Sequence, residues 1–88
     1  MTDSRHRQLS RIYQRPIEDD EDARAAIAAD PGVLASALFL EAAESDDVTS
    51  IETALEYLAD RLAFLGDLVG PMASQVEAEF GAKVQAWR

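Results

Sequence analysis

Eighty-eight residues with 17 acidic against 8 basic side chains, a net charge of −9, exclude binding to nucleic acid or anionic membrane through bulk charge. A hydrophobic content of 48% can fill the one modest core that this length allows, which excludes disorder throughout. The chain has no cysteine, which rules out disulfides and thiolate chemistry, and no apolar run approaches the ~20 residues of a membrane span.

The charge is unevenly placed. Residues 1–15 hold Arg5, Arg7, Arg11 and Arg15 against Asp3, or +3 (4 − 1). Residues 16–88 hold four basic and sixteen acidic residues, or −12. Two parts are therefore expected: a basic N-terminal arm or short helix over 1–16, and an acidic helical bundle over 17–88. MTDSRHRQLS lacks the apolar stretch of a secretory signal, so cytoplasm is the default compartment. The acidity fits solubility, a high-salt source or a basic protein partner.

In segment 4–15, Leu9, Ile12 and Tyr13 share one helical face, and Arg7, Arg11 and Arg15 step by four along another. Pro16 stops the pattern. The acidic run Glu18 to Asp22 precedes Ala23–Ala29 and reads as a helix start, because carboxylates favour the positive end of the helix dipole. Asp30-Pro31 suits an N-cap and first helical position. The helix that follows carries Val33 to Leu40, apolar almost all round, and is expected at the centre of the fold.

Thr49-Ser50-Ile51-Glu52 matches a capping box with Thr49 as the cap. From Ile51 the large apolar residues Ile51, Leu55, Leu58, Leu62, Leu65 and Val69 recur at steps of four and three, the rhythm of one apolar helix face. Leu58 and Leu62, in mid-stripe, are expected in the core. Glu52, Glu56 and Asp60 repeat at four-residue spacing on the other face. Gly70-Pro71 ends this helix and starts the last, which is expected to bury Met72, Val76, Phe80, Val84 and Trp87. Gly81 within it costs about 1 kcal/mol relative to Ala, so close packing or a frayed end is expected there. The fold class is all-α: an antiparallel bundle of about four helices (18–29, 31–44, 50–69 and 71–87) with a short N-terminal helix or arm.

Catalytic chemistry finds no purchase. A single histidine, His6, makes neither a zinc site nor a triad, and it is expected on the surface. Glu-x-x-His pairs, a calcium loop and a glycine-rich phosphate loop are all missing from the sequence. Leu65-Gly66-Asp67-Leu68 with Val76-Glu77-Ala78-Glu79-Phe80-Gly81 resembles the acyl carrier proteins, which are also small, acidic and helical. That family carries its pantetheine on a serine directly after the aspartate. Leu68 stands there in this chain, so the resemblance implies no carrier function. Neither an enzyme nor any cofactor or metal is expected.

The expected partner is another protein with a basic surface, for an inhibitor, adaptor or assembly component. Glu52, Glu56 and Asp60 would steer it, with Tyr57, Phe64 and Trp87 as aromatic anchors. A homodimer is also expected, since the apolar 33–40 helix and the three aromatics exceed what so small a body easily covers. The competing reading is a nucleic-acid-associated regulator that dimerises through its bundle and holds phosphates with Arg5, Arg7, Arg11 and Arg15.

Overall fold

The proline-marked breaks in the sequence pattern fall between the helices of the structure. The computed structural model describes residues 4–87, which form five α-helices and, among the described residues, no strand. They are α1 (Ser4–Tyr13), α2 (Asp20–Ala29), α3 (Pro31–Glu44), α4 (Ile51–Leu65) and α5 (Ala73–Trp87). Two short 3-10 turns, Gly66–Leu68 and Gly70–Met72, join α4 to α5. No single described helix is long and apolar enough to cross a membrane.

α1 closes on Gln14, a non-glycine residue at φ 56°, and the Arg15 N–H donates back to Ser10 C=O at 3.2 Å. That is the Schellman arrangement, with glutamine where glycine is usual. The Ser10 hydroxyl accepts from the Ile17 N–H at 2.9 Å and fixes the path around Pro16. Asp19 caps α2 by accepting from the Asp22 N–H at 2.7 Å, and Asp20, Glu21 and Asp22 fill its first turn. The acidic run therefore starts a helix. Asp30 caps α3 with Pro31 at its first position, and α3 leaves α2 at 93°.

α3 is the central helix. It packs on every other helix, most extensively on α5, and buries Leu34, Ala35, Leu38 and Ala42. Phe80 from α5 is fully buried, with its ring centroid 6.0 Å from that of Phe39. Leu9 from α1 and Ile17 from the connector are buried in the same core, so α1 is packed onto the body.

Several expectations are corrected. His6 is not a surface residue: it is buried, with Nε2 2.7 Å from Asp20 Oδ1, and ties α1 to the first turn of α2. The cap of α4 is Ser50, not Thr49. The Ser50 hydroxyl accepts from the Thr53 N–H at 3.2 Å, and the Thr53 hydroxyl accepts from the N–H groups of Ser50 and Thr49 at 3.0 and 3.1 Å. One hydroxyl at Thr53 thus serves two backbone donors, which Glu52 in the expected box would not. The α-helix ends at Leu65, not Val69, because Gly66 takes φ 57°. Leu68 and Val69 still reach the core through the 3-10 turns.

The buried face of α4 is also rotated from the expected stripe. Ala54, Leu58 and Leu65 form it, while Leu62 is half-buried and Leu55 is 45% exposed. Trp87 is 44% exposed rather than buried, and rests edge-on against Phe39 with ring centroids 6.1 Å apart.

Candidate protein-docking face

Because Ser50 and Thr53 cap α4 between themselves, the Glu52 carboxylate is not drawn back onto the backbone. Glu52, Glu56 and Asp60 are all exposed, and none forms an ion pair among the described residues. Moving round α4 at ~100° per residue, the order of side chains is Leu55, Glu52, Glu56, Asp60, Phe64. The acidic stripe therefore runs between two exposed apolar residues, Leu55 at 45% and Phe64 at 42%.

The expected aromatic anchors do not form one cluster. Phe64 lies on one flank, with the Arg61 guanidinium carbon 4.9 Å from its ring centroid. Arg61 also donates to Gln8 of α1 at 3.2 Å, while its buried Nε has no hydrogen-bond partner. Tyr57 is half-buried and donates to Glu41 of α3 at 3.1 Å. Burial, then the Glu41 carboxylate, pushes the Tyr57 hydroxyl pKa upward, so it is committed within the fold as a donor. Trp87 lies on the other flank, at the Ile51 end of α4, sharing an open cleft of about 630 Å³ with Thr49, Ser50, Ile51 and Glu52. The thirteen steps from Ile51 to Phe64 span ~20 Å along α4, which keeps Phe64 and Trp87 apart.

Sequence reasoning missed two features beside the stripe. An open cleft of about 700 Å³ separates α4 from α5, lined by Ile51, Leu55, Gly81, Val84 and Gln85. A second, of about 440 Å³, lies between α3 and α5 and exposes Leu40 (60%) beside Phe39, Lys83 and Trp87. The signal for the first was Gly81 in mid-helix. The signal for the second was that α3 is apolar on more faces than a small core can cover.

Of the arginines of α1, Arg5 is turned toward an acidic residue of the body. Arg5 lies 3.9 Å from Asp67, which also lies 3.8 Å from Arg24 of α2. Arg7, Arg11 and Arg15 are exposed. Among the described residues, no three His, Asp or Glu side chains are grouped to hold a metal ion. No family model matches the chain, and no characterised protein or solved structure is detectably similar to it.

Proposed function

We propose that this chain is a non-enzymatic, acidic protein-interaction module that docks the outer face of α4 on a basic surface of another protein, as an inhibitor, adaptor or assembly component. The observation that carries this reading is the row Glu52, Glu56 and Asp60, exposed and bordered by Leu55 and Phe64. Like charges at four-residue spacing cost a helix roughly 0.2–0.5 kcal/mol per pair. A face kept only for solubility tolerates mixed charge at lower cost. Carboxylates provide steering and register, and the exposed apolar residues beside them provide area to bury.

The bundle that presents this face is proposed to run up, down and up through α3, α4 and α5. Its support is that α3, α4 and α5 all pack on one another, with Ile51 and Leu55 of α4 sharing one cleft with Gly81 and Val84 of α5, and Ser36 and Leu40 of α3 sharing another with Lys83 and Trp87.

The test is affinity capture from the native host with the whole chain as bait, beside a Glu56→Lys/Asp60→Lys bait. The wild type should retain a basic protein that salt elutes, and the reversed bait should lose it while circular dichroism shows the same fold. Undiminished capture by the reversed bait would remove the stripe from the mechanism. The nucleic-acid reading makes a different forecast: duplex binding that Arg7→Ala/Arg11→Ala abolishes and stripe reversal does not weaken.

A further inference from the structure

Gly81 sits in the middle of α5, where glycine weakens a helix relative to alanine. Nothing inside the protein asks for it. Its φ is not left-handed, and a Cβ placed there would meet no atom within 4 Å. The side chain that is missing instead opens the floor of the α4/α5 cleft, whose walls are Ile51, Leu55, Val84 and Gln85. Leu55, a large apolar residue 45% exposed, stands on its α4 side without a covering neighbour. A groove between two helices, lined by three aliphatic side chains beside Gln85 and with a glycine among them, lets a third helix approach closely.

The rim sets the charge of that third helix. Glu52 follows Ile51 on α4, and Glu77 lies one turn before Gly81 on α5; both are exposed. Glu56 and Asp60 continue the acidic side of α4. Lys83 lines the cleft on the α3 side of α5, away from this groove. A second copy of the chain does not supply the occupant. Its basic helix, α1, has Leu9 fully buried in its own core, and the exposed face of its α4 is acidic.

We infer that the α4/α5 groove seats an amphipathic helix of the partner, apolar toward Ile51, Leu55 and Gly81 and basic toward Glu52 and Glu77. This rests on the docking reading above and adds the partner's element and its seat.

The probe is a fluorescein-labelled peptide of leucine and lysine, about five helical turns long, with leucines at i, i+3, i+4 and i+7. Its control has the same composition scrambled to destroy the stripe. Titrated with the full chain, the striped peptide should bind at least about tenfold more tightly than the scrambled one. Gly81→Leu fills the groove and should weaken the striped peptide about tenfold, with the circular dichroism of the fold retained and the melting temperature no lower than the wild type's. Leu55→Ala, at an exposed position, should weaken it in the same direction and serves if Gly81→Leu disturbs folding. Equal binding of the two peptides, or striped-peptide binding indifferent to both substitutions, overturns the groove while leaving the acidic docking face standing. Failure of both peptides to bind overturns both readings.

Discussion

Tyr13 shows how a single side chain joins two parts of this fold. Its hydroxyl donates to the Asp30 C=O at 2.9 Å, linking the end of α1 to the α2/α3 corner. Burial, then the Asp30 carboxylate, pushes its pKa from the ordinary 10.0 up to about 12. The unfolded chain loses this proton near pH 10 and the folded chain holds it to about 12. The contribution is therefore fully present below pH 10 and is lost as pH rises through that window. In a Tyr57→Phe background, absorbance titration at alkaline pH should report Tyr13 ionising late. Tyr13→Phe should cost about 1 kcal/mol at neutral pH and flatten the alkaline fall in stability. Ionisation at the free-tyrosine pH would contradict this. Core positions differ in the same residue-by-residue way. Leu58→Ala, at 3% exposure, should cost about 2–5 kcal/mol, and Leu62→Ala, half-buried, about half as much by denaturant titration.

At the scale of elements, what was legible depended on whether a residue type had one role or several. Pro16, Asp30-Pro31 and Gly70-Pro71 constrain the backbone directly, and each lies at a break between helices, although α4 already ends at Leu65. The start of α4 was misread because two overlapping quartets, Thr49–Glu52 and Ser50–Thr53, both carry cap chemistry. Which one forms depends on where the chain enters from the Val48 turn, a tertiary matter. His6 was misread because a lone histidine among arginines looks solvated until Asp20 folds across to meet it. The acidic stripe was legible from spacing alone, whereas the groove beside it required knowing that α5, and not another helix, flanks Leu55. Two substitutions examine these elements. Thr53→Ala removes an acceptor for two N–H groups and should cost about 1 kcal/mol, while Glu52→Ala should leave stability nearly unchanged. Gln14→Gly relieves a left-handed residue at the close of α1 and should raise stability by about 0.5–1 kcal/mol, read as a higher melting temperature.

For the molecule as a whole, charge gives heterologous docking and self-association opposite signatures. Each copy carries −9, so two copies repel at long range. Screening shortens that repulsion to about 10 Å at 0.1 M salt and 3 Å at 1 M. Apolar surface suited to self-association exists on the α3/α5 face, where Leu40 is 60% and Trp87 44% exposed. The expected homodimer, formed by covering those residues, should therefore tighten as salt is added. Docking of the α4 stripe on a basic partner should loosen over the same range, because its attraction is screened. Sedimentation of the chain alone from 0.02 to about 0.5 M sodium chloride should show the average mass rising toward the dimer, and Leu40→Lys should hold it at the monomer. A mass that stays monomeric at every salt concentration would reject the dimer. One that is dimeric at low salt and falls as salt rises would mean that the basic α1 of one copy, carrying Arg7 and Arg11, lies on the acidic face of another. In that case stripe reversal at Glu56 and Asp60, not Leu40→Lys, would dissociate the pair.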